Sequence, residues 1–221
     1  MIRLHHCHQT RSMRTLWLLH ELGVEFKVET YPFDKSLREA AFAKLNPLGR
    51  VPALEIGGSV MTETGAMAEY LCDLFPDTGL GRAAGGSERM EWLTWLHFAE
   101  TVSQHTAALT QQHIALYEDA MRSPIITKLE AKRLARCFDV IDAHLRDTGQ
   151  DWLLPSGFSA ADIGVGQAVY MGQHFVKLDD FAFLTAWVDR IKSRPAFQAS
   201  LPPEGATDLL YHQDFYPVWE G

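Results

Sequence analysis

The hydrophobic patterns of this chain change in kind near residue 80. Before this point, short apolar runs typical of β-strands alternate with helical spacing: strands are predicted at 2–6, 25–31, 51–56 and 59–61, and helices at 12–22, 37–45 and 64–74. Gly57 and Gly58 supply the turn of a hairpin between the last two strands. The order βαβα followed by ββα predicts an α/β unit of roughly 80 residues.

After a segment at 75–89 that is rich in glycine and proline, the strand pattern disappears. Helices are predicted at 88–117, 125–145, 160–171 and 181–193, with prolines between them. The sequence therefore predicts an α/β domain at 1–79, a linker at 80–87 and an all-helical domain at 88–221.

Composition and charge narrow the class of protein. The 221 residues are 47% hydrophobic and 22% charged, which is ordinary for a folded globular chain. The net charge is 20 − 28 = −8 and no basic stripe is present, which argues against nucleic-acid binding. No apolar run approaches the ~20 residues that cross a bilayer, and the first residues lack the apolar stretch of a secretory signal. We therefore expect a cytoplasmic protein with no nucleic-acid or membrane partner.

The cysteines and histidines do not form a metal-binding pattern. The three cysteines lack paired ligand spacing and are interpreted as reduced thiols: Cys7, Cys72 and Cys137. In a strand, His6 and His8 would share one face, whereas His5 and Cys7 would share the other. No metal site is predicted.

A proline stands at the predicted start of the third strand, where its missing N–H would weaken a β-ladder. A cis Val51–Pro52 bond would turn the N–H and C=O of Val51 outward, as an edge that pairs with a peptide. The alternative is an ordinary proline in an edge strand, and the residues alone leave both open.

Glu63 and Thr64 mark the start of the next predicted helix. Free N–H groups at a helix start bind anions, so Thr64 is suited to hold a ligand carboxylate while Glu63 accepts from a ligand ammonium. The alternative is that Thr64 only caps its own helix.

The turn after the first strand carries two hydroxyls, Thr10 and Ser12, and two cations, Arg11 and Arg14. A thiol bound there needs its pKa lowered from ~8.5 to below 7, which is about 2 units or ~2.7 kcal/mol. One hydrogen bond to a charged group contributes ~1.5–3 kcal/mol and the helix dipole ~0.3–1 kcal/mol. A single hydroxyl at this helix start is therefore sufficient to activate a thiol.

Three stretches together resemble the cytosolic glutathione S-transferases, and the resemblance covers essentially the whole chain: NPLGRVPAL at 46–54, TETGAMAEYL at 62–71 and SAAD at 159–162. The last stretch matches the family's capping box, in which Ser159 caps a helix and Asp162 reaches back. The resemblance implies an α/β thioredoxin-like N-terminal domain that binds glutathione and an all-α C-terminal domain that contributes the electrophile site.

The resemblance also implies the glutathione-binding residues. Pro52 is expected to be cis, with the Val51 backbone paired to the cysteinyl part of glutathione. Glu63 and Thr64 are expected to bind the γ-glutamyl ammonium and carboxylate. Arg50 is expected near the glycyl end, where the family often has Gln or Lys.

Thr10 falls where serine-type members carry the hydroxyl that stabilises the thiolate, and Ser12 is the rival hydroxyl. Threonine replaces the more usual serine at both 10 and 64, which keeps the hydroxyl but adds a methyl group. No tyrosine follows the first strand, which disfavours a tyrosine-type mechanism. In cysteine-type relatives the cysteine aligns with Thr10 and not with Cys7.

The expected function is that of a homodimeric glutathione transferase, with glutathione as co-substrate, no metal and a detoxification role. The glutathione thiolate, held by Thr10, would attack a soft hydrophobic electrophile bound between the two domains. The alternatives are a glutathione-dependent thiol transferase or peroxidase that uses Cys7, and a non-catalytic binder of glutathione or a hydrophobic ligand. No motif in the helical domain indicates which electrophile is used.

Overall fold

Four strands form one mixed sheet in the N-terminal part of the computed structural model: β1 (Ile2–His6), β2 (Phe26–Thr30), β3 (Ala53–Ile56) and β4 (Ser59–Met61). Their order is β2-β1-β3-β4, with β1 parallel to β2 and antiparallel to β3. The β1–β3 register pairs Leu4 with Leu54, both fully buried, and His5 with Ala53. The residues that precede β3 therefore lie beside the end of β1, where the first turn begins.

The structure describes residues 1–216, and its contacts divide the chain into two units. One unit comprises residues 1–89 with 192–210, and the other comprises residues 90–191 with 211–216. No helix within residues 1–216 is both long enough and apolar enough to span a membrane.

Helix α1 (Ser12–Leu22) is mostly buried in the first unit and ends at Gly23, whose φ of 65° is the left-handed conformation that glycine adopts without strain. It contacts the sheet and α3 (Thr64–Leu74). Trp17 of α1 packs edge to face on Phe197 with ring centroids 5.0 Å apart. The short helix α8 (Pro195–Ala199) thus covers α1 from the far end of the sequence.

The segment between β2 and β3 differs from its predicted form. A single helix was expected at 37–45, but the structure has a 3₁₀ turn at Lys35–Arg38 and the one-turn helix α2 (Ala40–Ala43). Glu39 separates them because its backbone is extended, with φ −69° and ψ 154°. Asp34 starts the first piece by accepting a hydrogen bond from the Ser36 N–H at 2.8 Å.

The second unit is helical, as the pattern predicts: α4 (Arg89–Thr110), α5 (Pro124–Thr148), α6 (Ala160–Gly172) and α7 (Ala182–Lys192). The predicted helix at 88–117 is shorter than expected, because α4 gives way to a single π-type turn at Gln111–Ala115. Helix α6 is buried along almost its whole length and forms the centre of this unit.

The capping box expected at Ser159 and Asp162 is present at the start of α6. Ser159 Oγ accepts from the Ala161 N–H at 3.2 Å, and Asp162 Oδ2 accepts from the Ser159 N–H at 2.9 Å. Asp162 Oδ1 accepts two further hydrogen bonds, from the Leu153 N–H at 3.0 Å and from Trp187 Nε1 at 3.1 Å. One buried carboxyl therefore ties the start of α6 to α7 and to the segment before α6.

Candidate active site

Two hydroxyls and an imidazole form a hydrogen-bonded cluster where β1 ends and α1 begins. Thr10 Oγ1 lies 2.9 Å from the Cys7 carbonyl and 2.8 Å from Ser12 Oγ. Ser12 Oγ lies 2.7 Å from His6 Nδ1 and 3.1 Å from the Cys7 carbonyl, and accepts from the Cys7 N–H at 3.1 Å. The turn is thus held by its own polar groups.

Burial distinguishes the two hydroxyls proposed from the sequence. Ser12 is fully buried, with 0% of its surface exposed, whereas Thr10 is partly exposed. Of these two residues, Thr10 is therefore the one that presents surface to a ligand at the start of α1.

His6 is the member of this cluster that the sequence did not single out for the site. It is 1% exposed, and burial, aided by neighbouring His8, lowers its pKa to about 3. The imidazole is therefore neutral at physiological pH and interacts with Ser12 through one tautomer or the other.

Cys7 is placed where a redox nucleophile would be inert. It is fully buried in an apolar cluster with Leu37 and Phe42, and its Sγ faces the Pro32 carbonyl at 3.8 Å. Burial, with a contribution from Asp34, raises the pKa of the Cys7 thiol to about 12, so the thiolate is absent at neutral pH. The geometry gives no support to the thiol-transferase alternative that uses Cys7.

Replacing Cys7 with alanine should leave glutathione-dependent turnover within about twofold of wild type, because the thiol has no access to a ligand. Native wild-type protein should also resist a thiol-specific reagent at this position until it unfolds, as mass spectrometry of the labelled protein would measure. Cys7 labelling in the folded protein, accompanied by loss of turnover, would contradict this reading.

A second polar cluster, formed by Arg14 and Thr64, lies where α3 begins. Arg14 on α1 is 6% exposed, and its Nη1 donates to Thr64 Oγ1 at 3.2 Å. Thr64 is the first residue of α3 and is 8% exposed. A buried guanidinium beside a helix N-terminus makes this position favourable for a carboxylate.

The helix start itself differs from the predicted one. Thr64 was expected at the N-cap, but Glu63 occupies that position, and its side chain makes no capping hydrogen bond. Glu63 is exposed and has a φ of 70°, which is rare for a residue with a side chain. Within residues 1–216, Gln9 is the other non-glycine residue with positive φ, and it lies in the turn before Thr10. Backbone strain of this kind concentrates at functional sites, and both instances flank the candidate site.

The Val51–Pro52 peptide bond is cis, as the resemblance implied. Within residues 1–216, the N–H and C=O of Val51 have no hydrogen-bond partner, because the ladder with β1 begins at Ala53. Val51 packs against the cluster that contains Cys7, which places it beside the first turn. The backbone N–H and C=O of Val51 therefore lie next to the cluster at the end of β1.

The loop that presents Val51 is braced by Asn46. Its Nδ2 donates to the Arg50 carbonyl at 2.6 Å, and its Oδ1 accepts from the Leu48 N–H at 3.0 Å. Gly49 has a φ of 59°, and a Cβ there would lie 2.9 Å from the Leu37 carbonyl oxygen, so glycine is required. The Arg50 side chain is exposed.

The structure thus brings some of the predicted residues into contact and leaves others apart. Thr10 and Ser12 are in direct contact, and Arg14 on the same helix reaches Thr64, so both helix starts are linked through α1. Arg50 and Glu63 are exposed on neighbouring loops. The sequence identified Arg14 as a cation at the start of α1, but no sequence signal identified Thr64 as its partner. Within residues 1–216, no group of three His, Cys, Asp or Glu side chains is arranged to hold a metal ion.

Comparisons with known proteins identify the family of the chain. Residues 10–74 match the family model described as glutathione S-transferase, N-terminal domain, and residues 110–201 match glutathione S-transferase, C-terminal domain. Protein LigF of Sphingobium sp. is 30% identical over 240 residues, which cover 92% of this chain and 93% of that protein.

Solved structures are similar over nearly the whole chain. A glutathione S-transferase from Xylella fastidiosa has a TM-score of 0.80 at 25% identity, covering 90% of this chain and 97% of that one. A sphingomonad glutathione S-transferase solved in complex with glutathione has a TM-score of 0.75 at 26% identity, covering 90% and 96%. The predicted fold class, an α/β thioredoxin-like domain followed by an all-helical part, is confirmed, and the chain belongs to the glutathione S-transferase family of enzymes.

Proposed function

We propose that this enzyme uses glutathione as co-substrate and activates its thiol through the Thr10 hydroxyl for attack on a soft hydrophobic electrophile. The observation that carries the proposal is the difference in burial between the two hydroxyls at the start of α1: Ser12 is fully enclosed, whereas Thr10 is accessible. The thiol gives its proton to solvent, and the sulfur lone pair then forms a bond to the electrophilic atom. The leaving group or opened ring takes the displaced electron pair.

Thr10 is suited to stabilise a thiolate because it is a neutral donor at a helix N-terminus. Its proton is directed to the Cys7 carbonyl in the free enzyme and rotates to the sulfur when glutathione binds. The hydrogen bond to a charged sulfur, together with the helix dipole, accounts for a pKa decrease of about 2 units. Catalysis then rests on thiolate stabilisation and positioning.

The remaining glutathione contacts are proposed from the other polar groups of the site. The Val51 backbone, held outward by the cis bond to Pro52, pairs with the cysteinyl segment. Thr64, supported by Arg14, binds the γ-glutamyl carboxylate, and the exposed Glu63 accepts from its ammonium group. Arg50 lies at the glycyl end, where its positive charge attracts the second carboxylate.

A homodimer is also proposed. Tyr70 and Leu74 support it, because they lie one turn apart on α3 and are each nearly half exposed, at 45% and 46%. Large apolar side chains on one face of a helix are typical of protein interfaces.

The test is an ultraviolet pH titration of bound glutathione, which follows the thiolate band in wild type and in Thr10→Ala. We expect a thiol pKa at least one unit below that of free glutathione in wild type, and loss of most of that shift in Thr10→Ala, which means about tenfold less thiolate at low pH. Thr10→Ser should keep the shift, and Thr94→Ala, at an exposed threonine of α4, should not change it.

Two outcomes would overturn the role of Thr10. A shift that survives in Thr10→Ala would assign thiolate stabilisation to the helix end alone. An unshifted thiol at saturating glutathione in wild type would instead favour the non-catalytic binder.

A further inference from the structure

We propose that His6 is a positioning residue: as its Nδ1–H tautomer it donates to Ser12 Oγ, and this leaves the proton of Thr10 available to the glutathione sulfur. The inference rests on the role proposed above for Thr10. His6 itself does not contact glutathione in this scheme, since Ser12 and Thr10 lie between them.

The argument begins with the hydrogen-bonding capacity of Ser12. A hydroxyl has one proton to donate and two lone pairs that accept. The Cys7 N–H occupies one lone pair, at 3.1 Å. The state of His6 Nδ1, 2.7 Å away, decides how the second lone pair and the proton are used.

With Nδ1 protonated, His6 fills the second lone pair of Ser12 Oγ. Ser12 is then unable to accept from Thr10, so the 2.8 Å contact between the two hydroxyls runs from Ser12 to Thr10. Alternatively, the Ser12 proton serves the Cys7 carbonyl at 3.1 Å. When Ser12 serves the Cys7 carbonyl, that oxygen keeps a donor as the Thr10 proton turns from it to a thiolate.

With Nδ1 unprotonated, the Ser12 proton goes to His6. The Cys7 carbonyl then depends on the Thr10 hydroxyl, 2.9 Å away, and the open lone pair of Ser12 also attracts the Thr10 proton. The Cys7 carbonyl and Ser12 Oγ then both compete with the glutathione sulfur for the Thr10 proton. The tautomer of His6 therefore controls the direction in which the Thr10 hydroxyl donates its proton.

The surroundings of His6 favour the Nδ1–H tautomer. Its Nε2 is buried and has no hydrogen-bond partner in the described part of the chain, although the His8 ring packs edge-on with centroids 5.2 Å apart. Buried donors without a partner are rarer in proteins than under-satisfied acceptors. The Nδ1–H tautomer leaves an acceptor at Nε2, whereas the other tautomer would leave a donor there.

The tautomer is measured directly by long-range ¹H–¹⁵N correlation spectroscopy of the glutathione-free enzyme with ring-labelled histidine. The His6 signals are assigned as those absent from a His6→Asn sample. We expect the pattern of a neutral ring protonated at Nδ1 between pH 6 and 8. A ring protonated at Nε2 would overturn the proposal, whatever the role of Thr10.

Variants then link the tautomer to the chemistry. His6→Phe removes the donor and opens a lone pair on Ser12, so we expect the pKa of bound glutathione to rise by about 0.5–1 unit, which is roughly three- to tenfold less thiolate below that pKa. Turnover should fall by the same factor at low pH and recover above the new pKa. Affinity for glutathione should change by less than about twofold. His6→Asn places an N–H near the position of Nδ1 and should stay within about 0.2 unit of wild type.

The outcomes separate this proposal from the one on which it rests. If Thr10→Ala loses the thiol shift while His6→Phe keeps it, His6 has no positioning role and the proposed function stands. If Thr10→Ala keeps the shift, the proposed function itself fails. Should His6→Phe not fold, an equal loss in His6→Asn would still contradict the proposal. His212→Phe, at an exposed histidine, is the matched control.

Discussion

Replacing Asp162 with alanine should lower the free energy of unfolding by about 3–5 kcal/mol. Asp162 is fully buried and accepts hydrogen bonds from Leu153, Ser159 and Trp187. Without the carboxylate these donors stay buried without a partner. Each such donor costs about 1–3 kcal/mol of stability before the surrounding structure relaxes. Denaturant unfolding followed by circular dichroism would measure the loss.

Two variants give the scale of this effect. Ser159→Ala removes the cap to the Ala161 N–H and the hydrogen bond from Ser159 Oγ to Asp162 Oδ2, and should cost about 1–2 kcal/mol. Asp139→Ala, at an exposed aspartate paired with Arg136 on α5, should change stability by less than about 0.5 kcal/mol. A loss below about 1 kcal/mol in Asp162→Ala would mean that the donors find water or other partners.

The same carboxyl also gives the stability a dependence on pH. Burial raises the pKa of Asp162 from 3.8 to about 6, against the opposing effect of its hydrogen bonds. The folded protein therefore holds this proton at a pH where the unfolded chain has released it, and stability from this group falls as pH rises between those values. The difference between wild type and Asp162→Ala should accordingly be widest near the lower pKa and narrowest above about 6.

Replacing Arg14 with methionine should weaken glutathione binding by about 10- to 100-fold. Its buried guanidinium donates to Thr64 at the start of α3, where the γ-glutamyl carboxylate is proposed to bind. Loss of a charge-assisted hydrogen bond of ~1.5–3 kcal/mol corresponds to that decrease in affinity. Isothermal titration calorimetry with glutathione would measure it.

Arg14→Lys keeps the charge but loses the planar fork and should fall between wild type and Arg14→Met. Arg136→Met, at an exposed arginine of α5, should bind as wild type does. Thermal unfolding without ligand separates a loss of binding from a loss of fold. A folded Arg14→Met with unchanged affinity would place the γ-glutamyl carboxylate elsewhere.

The fold was largely predictable because local patterns and tertiary structure agree. The short apolar run at β1, the apolar face of α1 and the Gly57–Gly58 turn each specify one element, and the Ser159–Asp162 spacing specified a helix start. The helix predicted at 37–45 failed at Glu39, whose extended backbone no propensity scale would identify. The N-cap predicted at Thr64 failed for a similar reason, since Glu63 adopts a conformation that its residue type disfavours.

The candidate site was only partly predictable, because the sequence identifies residue types but not their exposure. It named Thr10 and Ser12 as rivals, and only the fold encloses one of them. The contact between Arg14 and Thr64 joins residues 50 positions apart. The part played by His6 depends on the end of β1 facing the start of α1, which three-dimensional packing determines.

Residues 192–210 pack with residues 1–89, so the N-terminal unit is not one continuous length of chain. Arg194 forms a bidentate ion pair with Glu21 at 2.6 and 2.8 Å, and Phe197 covers Trp17, so a late segment completes the surface of the first helix. A fragment that stops at residue 89 would expose an indole ring and leave Glu21 without its arginine. The N-terminal unit is thus completed only after most of the helical unit has been synthesised, and a fragment that reproduces it has to combine residues 1–89 with 192–210.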